Sequence, residues 1–195
     1  MDEYSVHDTG LYREGGGRMM NLKRRMTYAN KDQAIVDQVK RRREIIYGSQ
    51  SLRIQTGLLS REPGDWDILS HNPRKSADTL QSTLDRQAGG DHYFVKRAGH
   101  RGTYKVREKG EDDRRNTDDD LEVADYTKIG KRKVQILDSP FGRVLSAQDI
   151  VKMKERAAAN PRYGFRKEKD TEDVLRHRFY QKLRGEGGDE EWDEY

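Results

Sequence analysis

Apolar residues in this chain come in short groups of changing period, and glycine or proline separates one group from the next. Residues 30–44 predict a helix: Asn30 is a candidate N-cap, Gln33 follows three residues on, and Ile35 and Val39 stack at i, i+4. Its basic end, Lys40 to Arg43, suits either a helix C-terminus or a polyanion. The short apolar stretch 44–47 reads as a buried strand, followed at once by Gly48-Ser49 and a polar stretch of helical character. A second strand is predicted at 64–69, opened by Pro63-Gly64. A helix follows at 73–86, with Ala77, Leu80 and Leu84 on one face and Gly89-Gly90 closing it. Strands at 92–97 and 103–108, joined through Gly99 and Gly102, read as a hairpin. Alternation predicts further strands at 121–127 and 133–137. Ser146 and Asp149 have capping-box spacing before a helix that Asn160-Pro161 stops, and Asp170 is placed as the cap of a last helix through Leu183. Helices and strands interspersed in this way predict one α/β (α+β) unit, a small mixed sheet flanked by helices.

Composition narrows that picture. Charged residues make up 38% of the 195 positions and hydrophobic residues 32%, so the core is expected to be small, with solvated extensions. Residues 1–29, with Gly15 to Gly17 and no sustained period, are expected to be a flexible arm; 30–184 form the domain, and 185–195 an acidic tail. The tail holds six acids and no base, so the body is more basic than the net charge of +4 indicates. A basic body favours nucleotides or nucleic acid, while arm and tail offer places for a protein partner. No apolar run is long enough to span a membrane, the first residues lack a signal-peptide pattern, and there is no cysteine. A soluble, cytoplasmic protein is expected.

Phosphate-binding loops, dinucleotide fingerprints, HExxH, EF-hand and GxSxG patterns are all missing, and the five histidines are dispersed. The informative segment is 47–69. There a Gly-Ser turn leads, within one helix length, to Asp65 and Asp67 at i, i+2. On a strand these two share a face, while Trp66 and Ile68 point into packing. Paired carboxylates repel one another unless a cation is present, and hard oxygen ligands suit Mg²⁺ or Mn²⁺. The turn at Gly48-Ser49 offers backbone N–H groups and a hydroxyl at a helix start, a place for the terminal phosphates of a nucleoside triphosphate.

With Tyr47, Gly48-Ser49 and Asp65-Trp66-Asp67 in this order, the sequence resembles the DNA polymerase β-type nucleotidyltransferase superfamily over roughly residues 44–180. The resemblance implies two divalent ions, Mg²⁺ or Mn²⁺, and transfer of a nucleoside monophosphate from an NTP to an acceptor hydroxyl with release of pyrophosphate. It also implies a third carboxylate on a later strand. Within 121–127 the candidates are Glu122 and Asp125, on opposite faces of a regular strand. Glu122 is preferred because Leu121 and Val123 flank it, and Asp125 is the alternative. By the same resemblance, Asp65, Asp67 and the third acid hold metal and act in catalysis. Gly48 and Ser49 hold phosphates, with Lys154, then Lys152, as the triphosphate-contacting lysine and Arg53 nearby. A nucleic-acid end, including a tRNA end, is the favoured acceptor, ahead of a small-molecule or protein hydroxyl. The competing expectation is a non-catalytic structural or nucleic-acid-binding component that keeps the fold.

Overall fold

The computed structural model describes residues 17–57, 63–131 and 133–185, with side chains from residue 30 onward. Among them, α1 (Gly17–Arg42), β1 (Ile45–Tyr47), α2 (Gly48–Thr56), β2 (Trp66–Ser70) and α3 (Pro73–Ala88) come first. Then follow β3 (Tyr93–Arg97), β4 (Thr103–Glu108), β5 (Leu121–Lys128), β6 (Ile136–Ser139), β7 (Gly142–Leu145), α4 (Ala147–Ala158), a 3₁₀ turn (Pro161–Arg166) and α5 (Lys167–Leu183). The strands form one sheet in the order β3-β4-β5-β2-β1-β7-β6. It is mixed: β2 runs parallel to β5 and β1 parallel to β7, and the other pairs are antiparallel.

Alternation along the central strands gives the sheet two differently used faces. Ile46, Trp66, Ile68 and Tyr126 point to the larger core, where α1 supplies Ile35 and Val39 and α3 supplies Ala77, Leu80 and Leu84. Ile45, on the opposite face, packs with Leu52 of α2, Leu145, and Ala147 and Ile150 of α4. Polar contacts tie α1 to the sheet beneath it: Trp66 Nε1 donates to Asp32 Oδ1 at 2.8 Å, Gln38 Nε2 to the Tyr126 hydroxyl at 2.8 Å and Lys31 Nζ to Glu108 Oε2 at 2.7 Å. Trp66 is therefore a packing residue, as its place between two aspartates predicts.

Several expected boundaries move. The first helix begins at Gly17 instead of Asn30, because residues 18–29 are rich in helix-favouring Met, Leu, Lys and Arg and contain no glycine or proline. The expected arm is thus helical from residue 17. Residues 1–16 and most of the acidic tail, 186–195, lie outside the described residues. The strand expected at 133–137 is the antiparallel pair β6 and β7, turned at Gly142, whose φ of 110° favours glycine. No described helix is long and apolar enough to cross a membrane.

The last helix also starts earlier than expected. Asp170 does not cap it; it lies one turn inside α5, 1% exposed, where it meets Lys154 of α4. Lys154 Nζ contacts Asp170 Oδ1 at 3.0 Å and Asp173 Oδ2 at 2.7 Å, and Asp173 accepts a hydrogen bond from Ser49 Oγ at 3.0 Å. This buried network joins the start of α2 to α4 and α5, and breaking one partner of such a network is costly. Replacing Lys154 with Met removes the ammonium that two buried carboxylates share and is expected to lower stability by about 3–5 kcal/mol in urea unfolding. Unaltered stability with only weaker nucleotide binding would contradict this structural role.

Candidate active site

The turn after β1 is shaped by what faces it. Gly48 has φ of 67°, and a Cβ there would overlap the Asp67 carboxylate, so the acid is seated directly against the backbone. Tyr47 and Asp67 are cross-strand partners, which fixes this approach by register. Asp67 is in turn the register partner of Asp125 across the parallel pair β2–β5. Asp65 lies just before β2.

Glu122 and Asp125 reach the same face through an irregularity in β5. Val106 stands opposite Ala124 and Arg107 opposite Glu122, which leaves Val123 as an extra residue between them. Such a bulge shifts the alternation by one. Val123 and Ala124, though adjacent, both enter the core, and the acids on either side both meet Lys105 of β4. The choice between Glu122 and Asp125 therefore dissolves, since a regular strand is the assumption that set them apart.

Asp65, Glu122 and Asp125 each offer an oxygen, and these three atoms lie within 4.8 Å of one another. Asp67 lines the same cleft without belonging to that tight set. The cleft, about 330 Å³, is also lined by Ser49, Pro63, Lys105, Phe165, Arg166 and Lys169. Burial, then the charges of Asp65 and Asp125, push the Asp67 carboxyl up to about 7. Burial likewise raises Asp125 to about 6 against the attraction of Lys105. Asp125 Oδ1 is buried and has no hydrogen-bond partner among the described residues. Converging oxygens, protons retained near neutrality and an orphaned buried acceptor are what hard oxygen ligands for Mg²⁺ or Mn²⁺ look like without the ion, so the donor set fits a divalent metal.

Other expected residues are placed differently. Ser49 lines the cleft, with its hydroxyl proton directed to Asp173. Lys154 is buried behind it in the network already described and is not among the lining residues. Arg53 sits on the exposed side of α2 and Lys152 on the exposed side of α4; neither lines the cleft. Among the described residues, the cations that line it are Lys105, Arg166 and Lys169, with Phe165 beside them at 85% exposure. The alternation of basic and aromatic residues in Arg162-Tyr163-Gly164-Phe165-Arg166 was the signal available in the sequence for the last of these.

No protein-family profile and no curated protein matches the sequence. Among solved structures, the Megavirus polyadenylate synthase superposes with a TM-score of 0.60 at 14% identity, covering 98% of this chain and 42% of that one. The chain has the polymerase β-type nucleotidyltransferase fold. It spans well under half the length of that synthase. Weaker likenesses include a putative nucleotidyltransferase from H. pylori (TM-score 0.45, 14% identity, 71% of this chain and 60% of that one). Another is an antigenic nucleotidyltransferase-like protein from Paracoccidioides brasiliensis (0.40, 15%, 68% and 65%). At these scores neither bears on the argument. In this chain Ser49 of the Gly-Ser turn and the acids of β2 and β5 line one cleft.

The raised carboxyl of Asp67 makes a signed prediction. In the fold it keeps its proton up to about pH 7, whereas its ordinary value is 3.8. Its contribution to stability is therefore complete below pH 3.8 and lost as pH rises through 7. At pH 8 without metal, Asp67→Asn is expected to raise stability by on the order of 1–2 kcal/mol, or roughly 3–6 °C in Tm. Below about pH 4 the difference should vanish in the same thermal melts.

Proposed function

We propose that the chain is a metal-dependent nucleotidyltransferase that moves a nucleoside monophosphate from an NTP to an acceptor hydroxyl. The observation that carries this reading is the convergence of Asp65, Glu122 and Asp125 within 4.8 Å, beside a glycine turn that only a residue without Cβ can form. Asp65, Glu122 and Asp125, with Asp67 behind them, are the residues that would hold Mg²⁺ or Mn²⁺. A bound ion supplies positive charge to the phosphates and lowers the pKa of the acceptor hydroxyl.

The chain's own groups supply the rest. Backbone N–H groups at the start of α2 orient the terminal phosphates, and Arg166 and Lys169 offset their charge from across the cleft. The acceptor oxygen forms a bond to the α-phosphorus as the bond to the β-phosphate oxygen breaks, and pyrophosphate leaves. Asp125, which lines the cleft, is the carboxylate suited to take the acceptor's proton.

A nucleic-acid end is the acceptor best supported. None of the residues in Pro161–Arg166 is buried, and Tyr163 faces His100 at the β3–β4 turn with ring centroids 6.3 Å apart. Exposed aromatic rings between arginines form a surface on which bases stack while the backbone meets positive charge. A second reading has one observation in its favour: Lys105 already neutralises part of the acidic cluster, as in a non-catalytic relative that binds nucleotide or nucleic acid without turnover.

Thermal melts test metal and nucleotide binding at the cleft, and labelling separates turnover from binding alone. Mn²⁺ with a saturating NTP is expected to raise Tm by roughly 5–10 °C, and Asp65→Ala with Asp67→Ala to abolish the shift. With labelled NTPs and RNA, label should appear on the RNA only with the parent protein, and Phe165→Ala should weaken single-stranded RNA binding about tenfold. Equal labelling by the double variant would rule out this cleft as the source.

A further inference from the structure

Among the groups around the cleft, Lys105 stands where its charge decides what else can enter. It projects from the middle of β4 toward the acidic face, opposite Asp125 in register, so its position is set by sheet pairing and not by a loop. Its ammonium lies 2.7 Å from Glu122 Oε1 and 3.2 Å from Asp125 Oδ2. Two of the three carboxylates that converge within 4.8 Å therefore already share one cation. Charge-assisted hydrogen bonds of this length are among the stronger polar contacts in a protein, and the contact to the half-buried Asp125 is less screened by salt than the one to the exposed Glu122. On the other side of Lys105, its register partner on the edge strand β3 is the exposed Lys96, a like charge that disfavours moving the ammonium toward the sheet edge.

The same arrangement reduces the repulsion among the acids at the cleft. Arg166 and Lys154 attract Asp67 only from a distance, whereas Lys105 is in contact with the outer acids. The ammonium holds Glu122 and Asp125 together.

We propose that Lys105 is a built-in counter-cation that competes with the divalent ion for Glu122 and Asp125, so that metal binds only by displacing it. The inference rests on the metal-binding reading of this cleft and adds to it a residue that sets metal affinity. Loading then trades a single positive charge for a double one over the same carboxylates, and the cost of breaking two ammonium contacts weakens binding of the ion. Glu122 thereby has a use in both states. It anchors the lysine when the ion is away and is available as a ligand when the ion is present.

The test is titration of the full chain with MnCl₂ alone, by calorimetry and by loss of the free-ion electron paramagnetic resonance signal, for the parent, Lys105→Met and Lys105→Arg. Lys105→Met keeps the length of the side chain without its charge, and its Mn²⁺ affinity is expected to rise about tenfold, within the ordinary range of coupling between two sites. Lys105→Arg keeps the charge and pairs with carboxylates at least as well, so its affinity should stay at or below the parent's. Melts in EDTA and in Mn²⁺ guard against a folding artefact. Lys105→Met should melt lower than the parent in EDTA and gain more from Mn²⁺, and if it is unfolded in EDTA, Mn²⁺ should restore the fold. A parent that binds Mn²⁺ while Lys105→Met binds it equally or more weakly overturns the counter-cation role alone. Absence of Mn²⁺ binding in the parent and in both variants sinks the metal reading beneath it.

Discussion

Crowding of like charge on one face of a sheet is the constraint around which this molecule is arranged. Asp67, Glu122 and Asp125 come together because strand register puts them there, with Asp65 just ahead of β2, and the mutual repulsion of the four is opposed by backbone pairing in β1, β2, β4 and β5. That pairing holds because the reverse face of the same strands is a dense apolar core, with Ile46, Ile68 and Tyr126 fully buried under α1 and α3. Burial on one side thus stabilises crowding on the other. Proximity and desolvation together keep protons on Asp67 and Asp125 at pH values where free aspartate has lost them.

Much of this was legible in the chain itself. The Gly-Ser turn, Asp67 and the flanking apolar groups are local patterns that became the elements expected of them, while Asp65 falls one residue ahead of its strand. Ser146 caps α4, its hydroxyl accepting from the Asp149 amide at 3.2 Å, as the capping-box spacing foretells. What local pattern does not encode is which helix face ends against which. Lys154 has the same sequence environment whether it points to solvent, to a phosphate or to α5; only the packing of α4 on α5, with Asp170 and Asp173 presented in return, assigns it. Asp170 was misread for the same reason, since an acid near a helix start is a cap by default and a buried partner only in three dimensions.

Pairing across the sheet was invisible in another way. Lys105 looks like any polar residue in an alternating strand, and nothing within 103–108 announces two carboxylates on the neighbouring strand. The basic and aromatic segment 162–166 was readable as a composition, but its nearness to the acids depends on how α4 returns the chain to the cleft. Long-range placement, more than element type, separates the sequence reading from the site.

The irregularity at Val123 gives β5 a property that substitutions alone do not capture. One surplus backbone residue sets the phase of every side chain beyond it, so removing or adding a single position would exchange interior for exterior over the adjoining part of the strand. An ungapped comparison with a relative lacking this kink would pair Glu122 with the wrong surface while scoring the segment as well aligned. The cleft can thus gain or lose an acid during divergence by indel, with every carboxylate codon intact.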